Sequence, residues 1–279
     1  MSILLAWVPL LSACSNGVLD PHGPIGGAEQ AILIDATVIM LAVVVPIIGG
    51  TLAIAWWYRA GNRKARRLPQ WSYSGQIEFV VWSIPALIVL FLGGIDWLGS
   101  HDLDPARPIQ SKLAPIDIEV VSLDWKWLFI YPDEEIATVN RLVIPAGTPL
   151  RFRLTSATVM NSFFVPQLGS QIYAMAGMTT RLNLQADRPG SYQGLSAQFS
   201  GAGFSDMRFE VVALPLQAFQ KWAGETRARG RSLNPKEYAS LARPSQADPP
   251  VTFGSVSAGL FEEIVASRGV LPHIAQEGQ

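Results

Sequence analysis

Two long apolar stretches joined by a basic link constrain this chain more than any other feature of it. Ala31–Tyr58 is apolar almost without a break, with Asp35 its only charged residue, and Ile77–Leu98 is a second such run. Each is about as long as the roughly 20 residues a bilayer core demands of a helix. Pro46, Gly49, Gly50 and Pro85 lie inside them, which membrane helices tolerate. The link carries Arg59, Arg63, Lys64, Arg66 and Arg67 and no acidic residue. By the positive-inside rule it is expected on the cytoplasmic side, with both ends of the hairpin outside. Trp56, Trp57, Tyr58 and Trp71 suit an inner aromatic belt, and Trp97 an outer one.

Composition points the same way. Of 279 residues, 49% are hydrophobic and 15% charged. That is too apolar for an ordinary soluble protein and too polar for a bare membrane bundle. A membrane anchor carrying a soluble domain is expected. A net charge of −1 implies no nucleic-acid partner. The single cysteine, Cys14, excludes an internal disulfide. It follows the short apolar run Ser2–Ala13 in the order Leu11-Ser12-Ala13-Cys14, which looks like a bacterial lipobox. Cleavage before Cys14 and a lipid on its thiol are expected; the alternative is an ordinary free or buried cysteine. No Lys or Arg precedes the run, which points to a start further upstream.

Beyond Ile116 the pattern changes to short alternating segments with turn signals. Ile116–Ser122, Trp125–Tyr131, Arg141–Ile144, Leu150–Ser156, Thr179–Ala186 and Met207–Ala213 read as strands. Pro132, Pro145-Ala146-Gly147, Pro149 and Arg188-Pro189-Gly190-Ser191 supply the breaks. An all-β sandwich is predicted. Helical signals follow at Leu216–Ala228, Pro235–Ala242 and Ala258–Arg268, in a tail expected to pack on the outer face of the domain or on a partner. The predicted division is a signal peptide (1–13), an outer N-terminal segment (14–30) and a transmembrane hairpin (31–100) with a cytoplasmic loop (59–76). A periplasmic β-domain (114–214) and a helical C-terminal region (215–279) complete it.

The chain has three histidines, His22, His101 and His273, and neither His nor Cys between Asp102 and Pro272. Copper electron-transfer sites need thiolate and imidazole, so no such site can form in that span. Carboxylates could hold Mg or Ca, but no acidic spacing resembles a calcium loop. Glu78 lies at the cytoplasmic start of the second span. From spacing alone it is either a functional carboxylate at a membrane boundary or one that snorkels to the interface.

Several motifs carry a family likeness, in order along the chain. They are the lipobox, the hairpin, Val120-Val121-Ser122-Leu123-Asp124-Trp125-Lys126-Trp127, Asn161-Ser162-Phe163-Phe164-Val165-Pro166, and the loop Tyr192–Met207. The chain resembles the subunit II family of cytochrome bo-type ubiquinol oxidases, within the heme–copper oxidase superfamily, from about Cys14 to Arg268. The resemblance implies a cupredoxin-like domain on a two-helix membrane hairpin. In copper-bearing relatives the loop runs C-x-E-x-C-G-x-x-H-x-x-M, with a further His opening an H-S-F-x-V-P motif. Here Ser196 and Ser200 stand at the cysteine positions, Gln198 at the glutamate, Phe204 and Asn161 at the histidines, and only Met207 matches.

The same resemblance implies that the copper A site is lost, and that this chain binds no cofactor and holds no catalytic residue. It makes Gln198 a poor substitute for the glutamate that supports a Mg or Mn site shared with subunit I. It sets Tyr173 where relatives carry a cytochrome c-docking carboxylate, so cytochrome c is not expected as donor. Trp125, at the family's electron-entry position, is expected only to pack. Glu78 matches the family's glutamate near the entrance of the K proton pathway, which favours a proton-entry role. By this likeness the complex is expected to oxidise ubiquinol, reduce O2 to water and pump protons in the bacterial inner membrane. Two hemes and a copper would lie in subunit I, with subunits III and IV as further partners. The competing expectation is a stand-alone membrane-anchored lipoprotein used in binding or assembly.

Overall fold

The computed structural model describes residues 17–66 and 68–267. The expected signal peptide, Cys14, His273 and the end of the last expected helix at Arg268 lie outside them. The chain forms two compact units. One comprises residues 30–103, the other the described residues up to 29 together with those from 104 onward.

The first unit holds α1 (Pro24–Trp57) from residue 30 onward and the whole of α2 (Gly75–Asp102), and the helices run through Pro46 and Pro85. Both are long and apolar enough to cross a membrane, and none of their apolar windows is buried within the chain. Trp82 and Phe79 are each 73% exposed and Leu90 72%. A contiguous apolar surface of this kind is not tolerated in water; lipid or a partner must cover it. The helices approach at Gly99, where an added Cβ would lie 2.7 Å from Ile32 Cδ1. Small residues at such crossings let helices pack closely.

The second unit is a sandwich. Its strands are β1 (Ile116–Leu123), β2 (Lys126–Tyr131), β3 (Ile136–Val139), β4 (Arg141–Pro145), β5 (Leu150–Ser156) and β6 (Asn161–Phe164), followed by β7 (Ile172–Ala174), β8 (Thr180–Leu184), β9 (Gly190–Ser196) and β10 (Arg208–Leu214). After these come α3 (Leu216–Arg229), β11 (Arg231–Leu233), α4 (Pro235–Leu241), β12 (Val251–Val256) and α5 (Leu260–Ala266). One sheet has the order β11-β12-β3-β2-β1-β5-β8, the other β4-β10-β9-β6-β7. The cupredoxin-like sandwich on a two-helix hairpin is thus as expected.

Strand alternation gives the larger sheet two buried faces. Ile118, Val120, Trp127, Phe129 and Phe152 point at the smaller sheet, where they meet Phe163 and Phe209. Val121, Leu123, Leu128, Ile130 and Val139 point the other way, onto Phe253, Tyr238, Leu260, Phe261 and Ile264. The C-terminal arm therefore packs on the outer face of the domain. It differs from expectation in supplying strands as well as helices. β12 pairs with β3 through Val251–Val139 and Phe253–Ala137, and β11 pairs with β12.

The N-terminal segment is pinned to the sandwich by backbone bonds. His22 N donates to Gln167 O at 2.7 Å, Asp187 N to His22 O at 2.8 Å, and Gly26 N to Leu168 O at 3.1 Å. A Cβ on Gly23 would lie 2.2 Å from Gln185 O. Only glycine admits that approach.

Candidate functional site

The six positions singled out by the copper-type loop come from two sequence regions. Asn161 opens β6 and Ser196 closes β9, strands that pair antiparallel through Phe163 and Ser196. The chain then loops out through Gln198 and Ser200, turns in a single 3₁₀ turn at Phe204–Asp206, and returns at Met207 to start β10. Two backbone bonds close the loop: Ser196 N donates to Met207 O at 3.0 Å, and Ala197 N to Ser162 O at 2.9 Å.

Inside this frame the side chains bond to one another. Ser196 Oγ lies 3.1 Å from Asn161 Oδ1 and 3.3 Å from the Gln198 carbonyl, so its single proton is shared between them. Asn161 Nδ2 donates to Val159 O at 3.3 Å. Ser200 Oγ approaches Met207 Sδ at 3.9 Å, a weak contact. Ser196, Asn161 and Met207 are buried, at 3%, 1% and 1% exposure. Buried polar groups must be satisfied, and here the hydroxyl and amide satisfy each other.

Phe204 departs from this cluster. Its ring meets Phe199 edge-on at 5.6 Å, and Phe199 is 72% exposed. The structure thus gathers Asn161, Ser196, Ser200, Met207 and the Gln198 carbonyl, while the partly buried Phe204 ring packs on Phe199. A binuclear copper centre does not fit this set. Neutral hydroxyls and an amide offer neither thiolate nor imidazole. Among the described residues no group of three His, Cys, Asp or Glu comes together as a metal site.

Trp125 is not the first residue of a strand. It sits in the β1–β2 turn at φ 64°, a strained backbone for a bulky residue. Its Nε1 donates to Ser200 O at 3.1 Å. A Cβ on Gly203 would lie 2.5 Å from the indole, and one on Gly201 3.2 Å. The tryptophan is therefore a wedge that holds the loop from Ser196 to Met207. Loop glycines spaced to take an aromatic ring were the available signal for this contact.

Glu78 belongs to the other unit, in the first turn of α2. Its backbone N–H reaches Ser74 O at 3.0 Å, and its carboxylate accepts a bond from Trp82 Nε1 at 3.2 Å. The residue is otherwise exposed on this chain. A groove of about 880 Å³ on the sandwich, lined by His22, Arg188 and Tyr192 among others, includes none of the candidate positions.

Two family descriptions match this chain: "Cytochrome C oxidase subunit II, periplasmic domain" over residues 130–214, and "COX Aromatic Rich Motif" over residues 227–267. The cytochrome bo(3) ubiquinol oxidase subunit 2 of Pseudomonas aeruginosa is 49% identical over 261 residues, covering 94% of this chain and 79% of that protein. The Pseudomonas putida protein of the same name is 48% identical over 256 residues, covering 92% and 82%. Ubiquinol oxidase subunit 2 of Acetobacter aceti is 48% identical over 259 residues, covering 92% and 84%.

Proposed function

We propose, from the premise that this chain belongs to the ubiquinol oxidase subunit 2 family, that it serves a membrane oxidase in which ubiquinol is oxidised to ubiquinone and O2 is reduced to water. The observation that carries the reading is the loop Ser196–Met207. It keeps the frame of an electron-entry site and fills it with a hydroxyl–amide network. Electrons then have no soft-metal relay in this domain and must enter the complex elsewhere. Subunit I is the partner this implies, and the apolar faces of α1 and α2 supply surface for it and for lipid.

In this reading the chain is a non-catalytic subunit. The hemes and copper belong to subunit I, with subunits III and IV alongside. The hairpin lies in the inner membrane, the basic loop faces the cytoplasm, and a lipid on Cys14 adds a second anchor. Glu78 collects cytoplasmic protons and passes them into subunit I by acid–base exchange. The bond from Trp82 Nε1 orients one carboxylate oxygen and leaves the other for that exchange. The oxidase couples this uptake to outward proton pumping.

Oxygen uptake tests the reading. The complex purified through this chain is offered ubiquinol or reduced cytochrome c. Uptake with ubiquinol alone is expected; uptake with cytochrome c, or recovery of a lone chain that consumes no oxygen, would overturn it. Glu78→Ala is expected to slow ubiquinol-driven turnover by about tenfold or more with heme content unchanged. Unaltered turnover removes the proton-entry role.

A further inference from the structure

One guanidinium joins the end of the C-terminal arm to the sheet. Strands β1 and β5 run parallel, with Asp117 opposite Arg151 and Glu119 opposite Arg153. Both pairs project from the outer face, the one the arm covers. Asp117 and Arg151 are bound to each other by two hydrogen bonds. Arg153 reaches further than its strand partner. Its Nη1 donates to Glu119 Oε1 at 2.8 Å and to Glu262 Oε1 at 3.0 Å. Its guanidinium also lies over the Phe261 ring at 4.8 Å. Glu262 and Phe261 both belong to α5. A single nitrogen on β5 thus serves one carboxylate of the sheet and one of the helix.

The charges around Glu119 do not balance. Asp117 adds a negative charge from its own strand, with Arg151 engaged by it. On β8, Arg181 stands opposite Arg153 in register. From α5 comes Glu262, and from the turn after β2 comes Glu135, which shares a cavity of about 310 Å³ with Glu119, Tyr131 and Glu262. Tyr131 is held neutral by burial, and its hydroxyl is bonded to Val143 O. Two carboxylates therefore share the single positive charge of Arg153. They are not equivalent: the Glu119 side chain is 10% exposed and that of Glu262 58%. Loss of water around Glu119, and next the charge of Glu262, push its carboxyl up to about 7 against the pull of Arg153.

We propose that Glu119, Arg153 and Glu262 form a proton-operated latch that seats α5 on the sheet more firmly in acid than at neutral pH. When Glu119 carries a proton, Arg153 and Glu262 are left as a matched pair beneath Phe261. When Glu119 is ionised, it draws on the same nitrogen and repels Glu262. Unseating the helix returns Glu119 to water, where its carboxyl falls back toward the ordinary 4.5. Between that value and about 7 the seated state holds the extra proton, so seating weakens as pH rises through the window and is level above it. One linked proton changes the equilibrium by at most about tenfold per pH unit.

Hydrogen exchange across residues 258–267, measured on the complex purified through this chain and corrected for intrinsic rates, tests the latch. Protection is expected to be about tenfold higher near pH 5.5 than near pH 7.5. Glu119→Gln keeps the shape and removes the titration; it should hold protection high at both values. Equal protection of the native chain at the two values, or an undiminished pH response in Glu119→Gln, overturns the proposal. If Glu119→Gln does not assemble, the exposed Glu262→Gln should shrink the native response at least severalfold, and an unchanged response then counts against it.

Discussion

At the residue scale, the structure separates polar groups that are satisfied from those that are not. Lys126, only 2% exposed, spends its ammonium on Arg243 O at 3.0 Å, on Asp248 at 3.1 Å and on Ser245. Burial pushes the Asp248 carboxyl up, but the bonds from Ser245 and Lys126 outweigh it and hold the group below the usual range. This tie therefore weakens only in strong acid, as pH falls through the lowered value, opposite in sign to Glu119. Lys126→Met should destabilise the arm by about 2 kcal/mol, because it removes the ammonium's bond to the Arg243 carbonyl and its ion pair with the half-buried Asp248 carboxylate; thermal unfolding would register it. Tyr238 is the opposite case. It is 1% exposed and its hydroxyl has no partner among the described residues. Tyr238→Phe should raise stability by up to about 1 kcal/mol, since it removes a desolvated group that makes no bond. A lower melting temperature for this variant would show that the hydroxyl is bonded after all.

At the element scale, the strands that escape a sequence reading are either very short, such as β3, β6 and β7 with three or four residues each, or interrupted by glycine, such as β9 and β12. β9 reads Gly-Ser-Tyr-Gln-Gly-Leu-Ser. Its glycine is a packing requirement: a Cβ on Gly194 would lie 2.0 Å from the Phe209 ring, so the aromatic core occupies the space a side chain would take. β12 is broken in pattern by Gly254, whose Cβ would meet the Arg227, Gly230 and Thr226 carbonyls at 2.8 Å. There the last turn of α3 crosses the strand backbone to backbone. Gly230 lies in ordinary backbone geometry at φ −77°, yet a Cβ on it would sit 2.0 Å from Gly254 N. Gly230→Ala should therefore cost about 3 kcal/mol through sterics alone, read as a drop in the unfolding midpoint. By contrast β1 and β5 were legible because apolar and polar residues alternate along them, and β2 because it is a short run of aromatic and branched apolar residues ended by Pro132.

At the scale of the whole molecule, two units of different solvent share one chain. The hairpin exposes its apolar residues and the sandwich buries two cores. Extraction in mild detergent through this chain should therefore bring a large heme-bearing partner with it, and heme absorbance in the purified sample checks this; a heme-free preparation would contradict it. The two long apolar runs and the missing soft ligands of the loop region were determined by the sequence itself. Apolar length and the lack of His and Cys between Asp102 and Pro272 are read residue by residue, and no folding is needed to evaluate them. The loop positions Asn161, Ser196, Gln198, Ser200, Phe204 and Met207 were legible from their motif. The tertiary structure alone decided that Ser196 closes on Asn161, that Phe204 packs on Phe199, and that Trp125 wedges the loop. It alone also joined Arg153 to Glu262 across a separation of 109 residues. Such contacts depend on strand register, where a slip of one residue sends every side chain to the other face, and register is set by the packed core rather than by neighbours along the chain.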